Sequence, residues 1–213
     1  MNFWKIPKRK KYNDEKKYSW LSILLDSLAI NDHETDLYIR REAQIKQLKI
    51  ACHKGCSNCC VIEGIPISEL ELRGISWYTS EMLDYDIQEK IKLNIFNKHY
   101  SIMCPFLIDN ACSIYEIRPL ACRSLYVFNN VCEWLEEPLT TRPNEVLIPS
   151  RTIAKKVAMR FLDEKSYRLN TQKNKIEAFE NGVMAKDTKS MNNIDWNFIQ
   201  IGITIFQRDR FNK

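Results

Sequence analysis

The residues of this sequence with the clearest capacity for chemistry are eight cysteines, all of which lie between residues 52 and 132 of a 213-residue chain. They are Cys52, Cys56, Cys59, Cys60, Cys104, Cys112, Cys122 and Cys132. Independent placement would confine eight residues to such a window in roughly 4 of 10,000 chains, so the clustering needs a common cause. Disulfides, buried structural thiols and metal thiolates are the three candidates.

The expected redox environment favours metal thiolates over disulfides. Residues 1–17 contain no apolar stretch of the kind found in a secretory signal. The longest apolar segment, residues 20–30, is shorter than the ~20 residues that span a membrane. We therefore expect a cytoplasmic protein without a membrane span, in which thiols stay reduced.

The spacing within the first cysteine group suits metal binding. Cys56-Ser57-Asn58-Cys59 is a C-x2-C element, which lets two sulfurs converge on one ion from a single turn, and Gly55 supplies backbone freedom for that turn. Zinc and iron–sulfur clusters both prefer four ligands, so eight thiols divide into two sites, or into one site with sulfurs to spare. Because Cys59 and Cys60 are neighbours, we expect their side chains to diverge and either to serve different sites or to supply one ligand and one spare thiol. His53 is a possible ninth ligand.

The cysteine motifs resemble those of a known family. The nonapeptide at residues 52–60 has the C-x3-C-x2-C-C pattern, and it is followed by Cys104-Pro105-Phe106-Leu107, by the octapeptide at residues 112–119 and by Cys122-Arg123. This combination, over residues 50–132, resembles the YkgJ-type cysteine-cluster proteins, which are described as zinc- or iron-chelating domains. The resemblance implies metal chelation by zinc or iron.

Flagellin lysine N-methylases carry the same cysteine pattern, so the resemblance also implies a protein-modifying enzyme as an alternative. Those enzymes are longer than this chain. The five glycines of this sequence form no glycine-rich nucleotide-binding fingerprint, which argues against a methyltransferase.

Three residues of the matched stretch are predicted to support the ligands. Thiolates concentrate negative charge, and the guanidinium groups of Arg118 and Arg123 would stabilise it through charge-assisted hydrogen bonds. An ordinary ion pair of Arg118 with Glu116 is the alternative. Tyr115 is expected to pack beside them. No catalytic residue is identified.

The net charge of +5 resides entirely in the first 17 residues, which contain seven Lys and Arg residues and only two acidic residues, Asp14 and Glu15. We predict a basic flexible arm at 1–17, a cysteine-cluster domain at 18–135 and a C-terminal helical extension at 136–213, packed on the same domain. Because the remainder of the chain is neutral, only the arm suggests a polyanionic partner such as nucleic acid.

The elements that must position the cysteines are mostly helices with short strands and hairpins, so the predicted fold class is α+β. Periodicity predicts helices at residues 21–29 and 36–50, around Ile176, and from Ser150, the last with Ile153, Val157 and Phe161 on one stripe. Capping boxes at Ser68–Glu71 and Asp86–Glu89 predict the starts of helices that run to residues 82 and 98. Short strands are predicted at 61–67 and 125–128, with a hairpin turn at Asp109-Asn110 and a loop at 136–149. Four isoleucines alternate with other residues at 199–205, which predicts a terminal strand. A helix is the main alternative for this stretch.

Two functions are consistent with these observations. The first is a binding or scaffolding protein that is stapled by zinc or an iron–sulfur cluster and presents its surface to a protein partner. The second is an iron–sulfur enzyme that modifies a protein or a small molecule. The number of metal sites and the choice between zinc and iron stay open at this stage.

Overall fold

The protein is mainly helical, with short two-stranded antiparallel sheets, which confirms the α+β class. The structure is a computed structural model that describes residues 6–211 except 54, 62, 63, 101 and 149. The α-helices are α1 Ser19–Lys46, α2 Glu69–Trp77, α3 Tyr85–Phe96, α4 Leu120–Ser124, α5 Pro138–Thr141, α6 Arg151–Phe161, α7 Gln172–Glu180, α8 Val183–Lys186 and α9 Asn197–Phe211. The strands are β1 Pro66–Ser68, β2 Leu107–Ile108, β3 Ala111–Cys112, β4 Tyr126–Val127, β5 Val146–Leu147 and β6 Thr188–Ser190. Among the described helices, none has both the length and the apolarity that crossing a membrane requires.

The main hydrophobic core lies between α1, α2, α3, α6 and α9. Leu21, Leu24 and Leu28 recur at helical spacing on α1 and are buried there. On α6, the predicted stripe of Ile153, Val157 and Phe161 is buried, and the Ser150 side chain caps the helix. These two helices form the most extensive pair in the fold, so they define the helical body that supports the cysteines.

Helix α1 is continuous, whereas two helices were predicted with a break at residues 30–35. The polar residues between positions 30 and 35 make tertiary contacts instead of ending the helix. Asp32 accepts a hydrogen bond from Arg123 at 2.5 Å, and Glu34 accepts one from Lys156 at 2.7 Å. Tertiary pairing therefore compensates for the weak local helix propensity of this stretch.

The predicted capping box at the start of α2 is confirmed. Glu71 accepts hydrogen bonds from the backbone and the hydroxyl of Ser68, and the Ser68 hydroxyl accepts one from the Glu71 backbone. A π-helical turn, Tyr78–Met82, extends α2 to the predicted end. The second predicted box, at Asp86 and Glu89, is wrong, because α3 begins at Tyr85 with Asp84 in the extended N-cap position.

The cysteine-bearing strands are very short. The predicted hairpin is present as β2 and β3, and the turn residues Asp109 and Asn110 both have positive φ, as a two-residue hairpin turn requires. Strand β4 is the centre of the strand predicted at 125–128 and pairs with β5 in the predicted loop, which also holds α5. Of the strand predicted at 61–67, only the end is present, as β1 paired with β6; residues 62 and 63 lie outside the described residues.

The predicted terminal strand is wrong, because the isoleucines lie on helix α9. Ile199 and Ile203 are fully buried, whereas Ile201 and Ile205 are 59% and 55% exposed. A four-residue period of burial fits a helix, and the alternation with polar residues was only an accident of the isoleucine positions. Helix α9 packs against α3 and the π-helical turn.

The N-terminal segment makes defined contacts over residues 9–15, and residues 1–5 lie outside the described residues; the flexibility predicted for this arm stays a prediction. Arg9 donates hydrogen bonds to Asp26 on α1 at 2.7 Å and to Glu15 at 2.8 and 2.9 Å. The indole of Trp77 donates one to Asp14 at 3.0 Å. This part of the segment is therefore docked on α1 and α2. The domain boundaries at 17/18 and 135/136 stay predictions.

Candidate metal centre

The three stretches that carry the cysteines are joined through their backbones. The Cys104 amide donates to the Cys60 carbonyl at 2.8 Å, which places the second stretch beside the first. The Ala51 amide donates to the Val127 carbonyl at 2.9 Å, next to a β-bridge between Ile50 and Phe128. The cysteine-bearing stretches, which lie far apart in sequence, are thus brought together in one region of the fold.

The first cysteine group forms a compact turn, as its spacing predicted. The Cys56 amide donates to the His53 carbonyl at 3.1 Å, and the Cys60 amide donates to the Ser57 carbonyl at 2.8 Å. Gly55 has φ +88°, a conformation that favours glycine, so its predicted role in the turn is confirmed.

Backbone amides point at three of the sulfurs. The Val127 amide lies 3.3 Å from Cys52 Sγ, the Phe106 amide donates to the Cys104 sulfur, and the Ile114 amide donates to the Cys112 sulfur. A hydrogen bond to sulfur stabilises the thiolate over the thiol, which is the form that binds metal. This arrangement suits metal ligands.

We call four thiols the inner thiols: Cys104 and Cys112, which pack against the main core, and Cys60 and Cys122, whose pKa values Cys104 and Cys112 help to raise. Burial, with a smaller contribution from Cys112, raises the pKa of Cys104 to about 12. Burial also raises the pKa of Cys122, and Cys104 and Cys112 add to the effect. Because charges on these sulfurs oppose one another, a cation between them would relieve the repulsion.

Three further thiols, the outer thiols Cys52, Cys56 and Cys132, lie on surface loops. Burial raises the pKa of Cys52, and nearby Cys56 and Cys132 raise it further. Burial and Glu136 raise the pKa of Cys132, whereas Arg142 lowers it. Arg142 was not singled out from the sequence, and its position ten residues after the last cysteine gave little signal.

Cys59 lies between the two groups, and its geometry corrects the sequence-based expectation. The Cys59 and Cys60 thiols are hydrogen-bonded to each other, so the prediction that these neighbouring side chains diverge is wrong. The hydrogen bond from Cys60 lowers the pKa of Cys59 to about 7, and Arg118 contributes to the lowering. The same contact raises the pKa of Cys60, followed by burial.

Arg118 lies beside the thiols, as predicted. Its guanidinium is stacked 3.9 Å from the centroid of the Tyr115 ring, so Tyr115 has the packing role expected of it. Its charge lowers the pKa of Cys112 and of Cys122, which burial raises. The buried Nε atom of Arg118 has no hydrogen-bond partner in the described part of the chain. A donor without a partner beside several thiols fits a site that becomes anionic when metal binds.

Arg123 has a different role from the one predicted for it. Its side chain is buried and donates to the carbonyls of Arg118 at 2.7 Å and Glu116 at 2.5 Å, and to Asp32 at 2.5 Å. Arg123 therefore fixes the backbone turn that carries Arg118. Burial raises the pKa of Cys112, and the positive charge of Arg123 makes only a minor contribution that lowers it.

The thiols do not form a finished coordination shell in this conformation. Over the described ranges, no three His, Cys, Asp or Glu side chains are arranged closely enough to hold an ion. The donor set, the amide hydrogen bonds to sulfur and the unpartnered Arg118 Nε fit a thiolate-bound metal. Binding would still require the cysteine side chains to move together.

Comparison with known proteins agrees with this geometry. Residues 51–140 match the CxxCxxCC family. Its model is described as a "putative zinc- or iron-chelating domain", so the resemblance seen in the sequence is confirmed. No curated protein and no solved structure matched the chain. The CxxCxxCC segment contains all eight cysteines and leaves α1 and α6–α9 outside the match.

Proposed function

We propose that this protein binds zinc or an iron–sulfur cluster through its clustered cysteines. We further propose that the metal holds the CxxCxxCC segment in a fixed conformation, which presents a surface that binds a protein partner. The observation that carries the proposal is the backbone hydrogen bond between Cys60 and Cys104, which brings two distant cysteine motifs together. The family match supports zinc or iron as the metal.

The short elements around the later cysteines support a structural role for the metal. Strands β2, β3 and β4 have two residues each, and α4 has five. Phe106 and Ile114 anchor this part to the main core, but elements this short are only marginally stable on their own. A bound zinc or iron–sulfur centre supplies strong bonds to sulfur and contributes directly to folding.

The residues of the chain prepare this site in two ways. The amides of Phe106 and Ile114 stabilise the Cys104 and Cys112 thiolates, and Arg118 places a positive charge next to the thiols. Arg123 holds the turn that carries Arg118. The positive charge of Arg118 and the turn that carries it are thus in place before metal binds, whereas the thiols themselves still have to converge.

Exposed apolar side chains beside Cys132 support a protein partner. Val131, Trp134, Leu135 and Leu139 are all exposed. Arg142 fixes their loop by donating to Glu136 at 2.7 Å and to the Asn130 carbonyl at 2.8 Å. A rigid apolar surface is typical of a protein-binding site.

Metal and acid-labile sulfide analysis of anaerobically purified full-length protein tests the proposal. We expect stoichiometric metal, with labile sulfide if the metal is an iron–sulfur cluster and without it if the metal is zinc. Cys104→Ser should lower the metal content, whereas the control Ser57→Ala, in the same region, should not. Metal-free protein with eight freely titratable thiols would contradict the proposal.

A further inference from the structure

We propose that the eight cysteines form two separate four-thiolate centres, one from the inner thiols Cys60, Cys104, Cys112 and Cys122, and one from the outer thiols Cys52, Cys56 and Cys132 completed by Cys59. This inference rests on the proposed function, because it assigns the ligands of the metal proposed there.

The inner thiols are anchored to the main core. Cys104 and Cys112 pack against it, and they lie on either side of the β2–β3 hairpin, where Leu107 pairs with Cys112. Cys60 joins them through its carbonyl, which accepts from the Cys104 amide at 2.8 Å. The buried Glu71 accepts from the Leu120 amide at 2.7 Å and so fixes the first residue of α4, which carries Cys122.

The outer thiols are attached to a different part of the molecule. Cys52 accepts from the Val127 amide, next to a second apolar cluster formed by Ile39, Phe128 and Leu147. The Asn58 side chain donates to the Cys132 carbonyl, which ties the loop of Cys132 to the turn that follows Cys56. The two groups of thiols therefore have separate supports.

Cys59 is assigned to the outer centre by the number of ligands. The inner thiols already supply the four sulfurs that zinc or a cluster prefers, whereas the outer thiols are one short. Cys59 is exposed, as are Val131 and Glu133 on either side of Cys132. With Cys56 it also forms the C-x2-C turn, which suits two ligands of one ion.

Cobalt(II) titration of metal-free full-length protein under anaerobic conditions tests the division, with the sulfur-to-cobalt charge-transfer absorption as the readout. We expect two ions per chain. The double variant Cys104→Ser/Cys122→Ser should lose only the inner ion, and Cys56→Ser/Cys132→Ser only the outer ion. Adding Cys59→Ser to Cys104→Ser/Cys122→Ser should also abolish binding of the outer ion. Adding it to Cys56→Ser/Cys132→Ser should leave the inner ion bound. Ser57→Ala is the control that keeps both.

Cysteine alkylation with mass spectrometry gives a second test that needs no substitution. At one cobalt per chain, the protected cysteines of the unmodified protein should belong to one of the two proposed quartets. A single ion per chain, loss of both ions in one double variant, or protection that mixes the quartets would overturn the division while leaving metal binding intact. Complete absence of cobalt binding would overturn the proposed function as well.

Discussion

The helical body and the cysteine-bearing stretches at 52–60 and 104–132 are ordered by different means. In the body, Leu24, Ile75 and Phe161 are fully buried between helices that run up to the 28 residues of α1. In the cysteine-bearing stretches, the elements are two to five residues long, the cysteines are half-buried or exposed, and single side chains such as Phe106 and Ile114 reach the main core. The comparison teaches that long amphipathic helices order the body, whereas short elements anchored by a few buried side chains, by backbone hydrogen bonds and by Arg123 order the stretches that carry the cysteines.

Metal removal should give the largest effect and should separate the two regions. Structural zinc contributes on the order of 10–16 kcal/mol in zinc-finger peptides, which exceeds the net stability of most domains. We expect chelation to abolish amide-exchange protection at 102–135 and to preserve it in α1 and α6. Hydrogen exchange with mass spectrometry measures both regions in one sample. Native protection of 102–135 after chelation would show that this region is ordered without metal.

Phe161→Ala should act on the body. The side chain is fully buried in the main core, and removing it should lower the free energy of unfolding by about 3–5 kcal/mol. Urea denaturation measures this loss. Phe96→Ala is the control, since Phe96 is 72% exposed, and we expect it to leave stability unchanged. Equal effects of the two variants would contradict the placement of the core.

Arg123→Met should weaken the connection between the two regions. Asp32 belongs to α1, while the carbonyls that Arg123 also binds belong to the turn before α4. Because Asp32 is half exposed, the cost comes mainly from the charged hydrogen bonds of the buried guanidinium, and unfolding of the metal-loaded protein should be easier by about 2 kcal/mol. Arg40→Met, which removes an exposed pair with Asp36, is the matched control and should have no measurable effect. If the Arg123 variant were as stable as the control, the turn would be held by other contacts.

Arg9→Met should give the smallest effect and a defined pH dependence. Losing its charged hydrogen bonds to Glu15 and Asp26 should cost about 1.5 kcal/mol at neutral pH. Hydrogen bonding with Arg9 lowers the pKa of Glu15 in the folded protein. Stability from this pair is therefore present above the ordinary carboxyl pKa of ~4.3 and is lost as the pH falls through the lower folded value.

The difference in unfolding free energy between wild type and the Arg9 variant should thus shrink between pH 7 and pH 3. Denaturant titrations at several pH values measure it, and Lys8→Met, at an exposed position, is the control. A difference that does not change with pH would assign the effect of Arg9 to packing rather than to charge.

Local signals in the sequence predicted the elements that local contacts determine. The Ser68 capping box, the helix from Ser150 and the Asp109-Asn110 turn each depend on residues within a few positions, and all three are confirmed. The continuity of α1 was not predictable, because it depends on Arg123, which lies far away in sequence. The helix α9 was missed because isoleucines at every second position satisfy a strand period, and only burial distinguishes Ile199 from Ile201.

For the candidate site, sequence reasoning identified the region of the cysteines but not the contacts around them, and their role as ligands stays a prediction. The cysteine spacing identified the region, and the charge argument placed Arg118 correctly beside the thiols. The role of Arg123 and the contact between Cys59 and Cys60 depend on the three-dimensional course of the turns, which no spacing rule specifies. Asn58, inside the C-x2-C element, was missed because its contact with the Cys132 carbonyl joins residues 74 positions apart.

The pairing of α1 with α6 has a consequence for the synthesis of the protein. The two helices lie on either side of the CxxCxxCC segment in sequence, so the body cannot close until the ribosome has translated residue 161. At 5–20 residues per second, translation from the end of α1 to the end of α6 takes about 10 s. During that interval the cysteines leave the ribosome one after another while their supporting core is still absent. The nascent thiols are therefore open to metal, and to oxidants, before the fold that protects them exists.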